Sequence, residues 1–398
     1  MLKKLVSFIL VAVMVLSFTA CGSKKESTDA GNTAAPTEAT AEATGAATTE
    51  TATTREPIAK ENIKVAVIHI GDPADGAGYT FAHDQGIVAM QTALGLSDDQ
   101  IIRKNNVNDA DAAAIRTAME ECIEEGANII FGTSWGYMDT MKELAEEYSE
   151  VVFSHCSGYE SNGTNFNNYF GRIYQARYLA GIAAGMKTQS DKIGYVAAMG
   201  IDNSEVTGGI NAFAMGIESV NPDAKVYVKV TNTWGDPTLE KQAAEALIDE
   251  GCDVIGQHCD STAPQMAAEA AGVWGCGYNS DMTKDAPNAH LTAPIWNWGA
   301  YYSATVQSVI DGTFNGANYF GGLAEGLVDI SPVSANCAEG TQEAIDAAKA
   351  KILDEGFKVF EGNIVDNEGN QICNEGEAIA DTDITGKMNW YYKTVVVE

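Results

Sequence analysis

The chain is 398 residues long, 45% hydrophobic and 20% charged, and its 24 Lys and Arg against 55 Asp and Glu leave a formal net charge of −31. That length suits two globular domains better than one. A surface of this sign repels phosphate backbones and anionic headgroups alike, which excludes nucleic acid as a partner and leaves any membrane attachment to something other than a basic patch.

In chain order, the first predicted element is an address. Lys3 and Lys4 precede an uncharged, mostly apolar run from Leu5 to Ala20, too short to span a bilayer comfortably and of the length of a signal-peptide core. The run ends Phe18-Thr19-Ala20-Cys21-Gly22-Ser23, which resembles a bacterial lipobox, although Phe18 stands where Leu is usual. Residues 1–20 are therefore expected to be a lipoprotein signal peptide and Cys21 the lipidated N-terminus of a protein held on the extracytoplasmic face of the cell membrane. Residues 21–60 follow as a tether: between Thr28 and Thr54, 19 of 27 positions are Thr or Ala, a composition that cannot bury enough apolar surface to fold. As a flexible coil it would span roughly 35 Å. The leader and the tether carry small, cancelling charges, so the acidity belongs to residues 61–398.

That body alternates short apolar runs with helical patterns, the signature of parallel β-α-β construction. Strands are predicted at 63–70, 128–132, 151–155, 192–198, 225–231, 254–258, 275–279 and 290–295. Helices are predicted at 109–125, 174–187, 204–220, 239–250, 262–271 and 299–311, several opening on a capping residue and closing on Gly. One plan occurs twice: a helix ending in Glu-Glu-Gly126 or Asp-Glu-Gly251 leads into a short strand, IIFG or VIGQ, which two similar α/β lobes explain better than one long sheet. Seven cysteines follow Cys21 with no CxxC spacing, so they cannot all pair, and Cys122, Cys156 and Cys252 read as small core hydrophobes.

Ligands of open parallel sheets bind beyond the carboxyl ends of the strands. After the first strand, Gly71-Asp72-Pro73-Ala74-Asp75-Gly76-Ala77-Gly78-Tyr79 is glycine-rich but lacks both phosphate-loop spacings, and its carboxylates would repel phosphate. Tyr79, Phe81, His83 and Asp84 come next, then Ser134, Trp135 and Tyr137, then Trp234, then His258 and Asp260, then Asn279 and Asp281, and finally Trp296. Aromatic faces can sandwich a flat heterocycle while carboxylates and amides bond its edge.

Three blocks carry a family likeness: YFGRIYQARYLAGIAAG from Tyr169, NTWGDPTLEKQAAEALIDEGCDVIGQHCDS from Asn232, and GVWGCGYNSD through HLTAPIWNWGAYY. They resemble the basic membrane protein family of ABC-importer substrate-binding lipoproteins, and the first-loop GYTFAHDQG looks most like its purine-binding members. The resemblance implies a type I periplasmic-binding-protein fold, two Rossmann-like lobes joined by three crossing strands with ligand in the cleft between them. On that reading lobe 1 takes residues 61–171 and 295–325, lobe 2 takes 172–294 and 326–362, and 363–398 form a C-terminal extension on lobe 2. The lobes would open and close about Gly171, Pro294 and Glu325. By the same likeness Trp234 stacks on the base opposite Tyr79 or Phe81, Asp281 bonds the ligand, and Tyr174 joins them within the first block. The family's usual Lys near Trp296 is missing here, which favours a free base such as adenine over a nucleoside. An ABC permease is the implied partner, and no cofactor or metal is implied.

Rival readings remain at this stage. A sugar or another small solute could occupy the same cleft, and a signalling receptor could replace the permease. His155-Cys156 and His258-Cys259 suggest a thiol nucleophile, but neighbours on a strand face opposite ways, and five His without an H-x-x-x-H pattern make no zinc site. At the C-terminus, residues 340–355 read as a helix, 357–372 as a hairpin and 390–397 as a strand packed on the edge of the second sheet, with no chemistry of their own.

Overall fold

A computed structural model describes residues 55–397. The leader, Cys21 and the tether through Thr54 lie outside the described residues. No helix among the described residues is long and apolar enough to cross a membrane.

In chain order the first half comprises β1 (Val65–Ile68), α1 (Gly78–Leu94), β2 (Ile101–Lys104), α2 (Ala112–Glu124), β3 (Ile129–Gly132), α3 (Met138–Glu147), β4 (Val152–His155) and β5 (Phe166–Gly171). The middle comprises α4 (Ile173–Lys187), β6 (Lys192–Ala197), α5 (Ser204–Glu218), β7 (Lys225–Val230), α6 (Pro237–Asp249), β8 (Val254–His258), α7 (Ala263–Ala271), β9 (Trp274–Cys276) and β10 (His290–Thr292). The remainder comprises β11 (Pro294–Trp296), α8 (Trp298–Ile310), β12 (Tyr319–Gly321), β13 (Val328–Ile330), α9 (Thr341–Asp354), β14 (Ile364–Val365), β15 (Gln371–Cys373), α10 (Asp381–Gly386) and β16 (Val395–Val397).

Two six-stranded sheets result, ordered β12-β5-β4-β3-β1-β2 and β10-β9-β8-β6-β7-β16. Every pairing within them is parallel. Burial of both faces explains the continuous apolar strands, such as Val65–Ile68 and Ile129–Gly132, in which every residue is buried. The chain passes between the sheets three times: from β5 into α4, from β10 through β11 into α8, and from β12 into β13, with β11 and β13 paired antiparallel. This is the two-lobed α/β architecture expected of a solute-binding protein.

The duplicated helix ending is a duplicated cap. Gly126 and Gly251 both take left-handed backbone, at φ 94° and 93°. The next amides, of Ala127 and Cys252, reach back to the carbonyls of Cys122 and Leu247. Even the outer partner repeats, because Lys64 donates to the Glu125 carbonyl and Lys192 to that of Glu250.

Helix α1 was not foreseen. Its sequence lacks a clear apolar stripe because small residues fill the positions that face α8: a Cβ on Gly86 would stand 2.5 Å from that of Trp298. The predicted strand 290–295 is divided into β10 and β11, the second of which belongs to a passage between lobes. All seven described cysteines are free thiols, and all but Cys337 are buried.

Candidate functional site

A cavity of about 640 Å³ lies between the carboxyl ends of the two sheets, within the ~300–1,000 Å³ typical of small-molecule sites. Ile70, Tyr79, Asp109, Ser134, Trp135, Ser157 and Phe170 line it from the first lobe, each just after or near the end of a strand or at the start of the following helix. Asp202, Asn203, Ser204, Glu205, Trp234, Asp260 and Tyr278 line it from the second lobe, and Thr385 and Gly386 complete the wall. No Lys or Arg is in that lining.

The helical geometry of α1 decides where its residues point. Successive helical side chains fan out at 3.6 per turn, so Tyr79 reaches the cavity while its neighbours do not. The Tyr79 hydroxyl donates to Cys156 Sγ at 3.3 Å. His83, four residues on, is fully buried, with Nδ1 2.5 Å from the Tyr302 hydroxyl and its ring stacked on Trp298 at 4.4 Å. Burial, with His69 nearby, pushes its pKa well below the usual imidazole range, so it is a neutral core residue. Asp84 binds Arg103 at 2.7 Å on the far side of the helix. Phe81 lies under the Lys284 ammonium, 5.7 Å from its ring centre.

The remaining predicted positions divide the same way. Ser134 and Trp135 line the cavity, with Ser134 donating to Asp109 Oδ2 at 2.7 Å and Trp135 57% exposed. Tyr137 is buried beneath them and donates to the Val107 carbonyl. Tyr174 turns away to donate to Asp381 Oδ1 at 2.9 Å. Asp281 is exposed, its Oδ1 accepting from the amide and hydroxyl of Thr283. Trp296 is buried outside the lining, stacked on Trp298 at 4.3 Å, its indole N–H 3.3 Å from the Tyr278 hydroxyl. Trp234 and Asp260 line the second-lobe wall side by side, the Asp260 amide donating to the Trp234 carbonyl at 2.8 Å.

Sequence reasoning passed over Glu205, although it follows the end of β6 and opens α5, where it was read only as part of a capped helix. Asp109 was likewise read only as the opening of a helix, and Ser157, two residues beyond the strand that ends at His155, was passed over. Glu205 and Asp260 are only partly exposed, and loss of water around them pushes both carboxyls up to about 7. The largest opposing influence on Asp260 is Asn279, whose amide donates to Oδ1 at 2.8 Å. That on Glu205 is Arg177.

Arg177 stands behind this wall, 1% exposed, bonded through Nη1 to the Tyr195 hydroxyl and the Gln257 carbonyl, with its guanidinium 4.0 Å from the Tyr278 ring centre. Space for it exists because residue 209 is Gly: a Cβ there would come within 2.8 Å of Arg177 Nε and His258 Nδ1. His258 lies 3.5 Å from Glu205, but burial and then Arg177 push its pKa well below the usual range, so this contact joins a neutral ring to a carboxyl.

The two lobes touch across the cleft mouth. Lys284 of the second lobe donates to the Gly76 carbonyl at 3.1 Å. Gly78, at φ 80°, comes so close to the Asp260 backbone that a Cβ would be 2.6 Å from its carbonyl oxygen.

The family description that matches, over residues 63–359, is that of PnrA-like ABC transporter substrate-binding proteins. The chain is 36% identical over 333 residues to a purine-binding protein of Brucella abortus, covering 84% of this chain and 93% of that one. It is also 36% identical over 312 residues, 78% of each chain, to a Haloferax volcanii protein named provisionally as an ABC transporter glucose-binding protein. Among solved structures, a solute-binding protein of an ABC transporter system from Conexibacter woesei superposes with TM-score 0.61 at 19% identity, over 74% of this chain and 98% of that one. The chain belongs to the PnrA-like substrate-binding protein family.

Proposed function

We propose that this family member is the extracytoplasmic receptor of an ABC importer for a purine nucleobase or nucleoside, with an adenine-like base favoured. It captures the solute in the cleft, closes over it and presents it to a membrane permease, without catalysing a reaction on it. Cys21 is its lipid anchor once the leader has been removed.

The observation that carries this reading is the composition of the cavity. Trp135, Tyr79 and Phe170 from one lobe and Trp234 and Tyr278 from the other supply aromatic faces on both sides, whereas Asp109, Asp202, Glu205 and Asp260 supply acceptors with no cation among them. Flat rings are held by such faces and ring or exocyclic N–H groups by such acceptors. Phosphorylated nucleotides are disfavoured, since four carboxyl side chains would face the phosphate without a compensating charge. The likeness to a purine-binding protein supports the same choice.

A second reading, a hexose, is favoured by the equally similar relative named for glucose. Calorimetric titration of the protein with adenine, adenosine, guanosine and glucose separates the two. Saturable binding of adenine or adenosine, undisturbed by excess glucose, is the expected outcome. Binding of glucose with no purine response would overturn the purine reading while leaving the receptor role intact.

A further inference from the structure

The family match ends at residue 359, yet the cavity is closed on one side by Thr385 and Gly386. The chain beyond the match is not a loose appendage. Its last strand, β16, pairs in parallel with β7 through Val395–Val226, Val396–Tyr227 and Val397–Val228. Asn211 of α5, fully buried, donates to the Trp390 carbonyl at 2.9 Å and accepts from the Tyr392 amide at 2.8 Å. Ile384 and Met388 are buried against α5, beside Gly208. The same helix begins with Ser204 and Glu205 at the cavity.

The other end of α10 is fastened to the passage between lobes. Asp381 Oδ2 accepts from Arg172 Nε at 3.0 Å and Nη2 at 2.8 Å, and its Oδ1 accepts from the Tyr174 hydroxyl. Arg172 follows Gly171, the last residue of β5, and its Nη1 donates at 2.7 Å to the carbonyl of Phe320 in β12. It also lies 3.7 Å from Glu325. One arginine thus joins two of the three passages to α10, and a short helix carries that joint to the cavity wall.

We infer that the segment Asp381–Gly386 is a third wall of the solute cleft that selects ligands by size, with Thr385 its specificity-determining residue and Asp381 a positioning residue that holds the wall against the hinge through Arg172. This rests on the reading of the cleft as the solute site. The Thr385 hydroxyl donates to the Asp381 carbonyl at 2.9 Å, so its proton is engaged within α10 and its oxygen has only lone pairs left to offer. A small side chain followed by glycine leaves room beside a planar base, and that room is what a larger side chain would remove.

The test measures the ratio of adenosine to adenine affinity by calorimetry on the full chain, with thermal melting as the check on folding. Thr385→Trp is expected to lower adenosine affinity at least tenfold more than adenine affinity, and Thr385→Ala to shift the ratio at least twofold toward adenosine. Asp381→Asn is expected to disturb the ratio with little change in melting, and Asp381→Glu to restore it. Should the wild type take glucose in place of purines, the same ratio is read between maltose and glucose. A ratio unmoved by both Thr385 variants in folded protein would overturn the inference. Trp234→Ala separates this from failure of the cleft reading: affinity lost there but unmoved at Thr385 sinks only the third wall, and affinity unmoved at both sinks the cleft as the site.

Discussion

The two walls of the cleft are built on one plan and do different chemistry. Each belongs to a parallel sheet with one helix ending in the same glycine cap, Gly126 and Lys64 in one lobe matched by Gly251 and Lys192 in the other. Behind the first wall stand His83 and His155, kept neutral by burial, with a cluster of aromatic rings around Tyr169, Trp298 and Tyr302. Behind the second stands the buried cation of Arg177, flanked by Glu205, Asp260 and neutral His258. The fold thus repeats the scaffold while leaving the residues beyond the strand ends free to diverge, so that both sides carry aromatic faces but only the second adds carboxyls pushed up to about 7.

The largest way to break the comparison is to keep the walls apart. Gly78→Ala places a side chain on left-handed backbone directly against the Asp260 carbonyl. Closure and ligand affinity are expected to fall by at least tenfold, read by calorimetry and by small-angle scattering of the ligand-saturated protein. Wild-type affinity in this variant would mean that the contact at the cleft mouth is not part of the bound state.

A smaller effect sharpens the comparison, because only the second wall should respond to pH in the neutral range. Glu205 and Asp260 take up protons around pH 7 in the folded protein and near pH 4 to 4.5 when unfolded, so the folded state binds more protons across that window. Their contribution to stability is therefore greatest at the acid side and is lost as pH rises toward 7 and above. Ligand N–H groups favour the ionised carboxyls, so affinity for adenine is expected to rise several-fold between pH 5.5 and 8. The Glu205→Gln, Asp260→Asn double variant should flatten both trends. Trp135→Ala, in the first wall, should lower affinity equally at all pH values. A slope that survives the double variant would assign the titration elsewhere.

Much of this was readable in the sequence, and the exceptions have physical causes. β3 was legible because IIFG is a continuous apolar run buried along its whole length, and α2 and α6 were legible apart from their starts, which Asp111 and Asp236 set by capping them. β5, FNNYFG, was missed because Asn167 and Asn168 interrupt the run, their amides satisfied by Tyr301, Ala317 and His155 rather than by water. Of the residues that attention to strand ends picked out, Tyr79, Ser134, Trp135, Trp234 and Asp260 line the cavity. The same attention also gathered His83, Asp84 and Phe81 because α1 was read as a loop, in which all could have faced one cleft. Thr385 left no local signal at all: its place in the wall comes from the tertiary docking of α10 on α5, and the C-terminal stretch was expected only to pack.

The most direct test of the proposal that the cleft sandwiches a nitrogenous ring is to ask what it already holds. The protein, purified natively without added solute, is denatured and the released small molecules are identified by mass spectrometry. The account predicts a purine base or nucleoside in near-stoichiometric amount. Release of a hexose with no purine would contradict it.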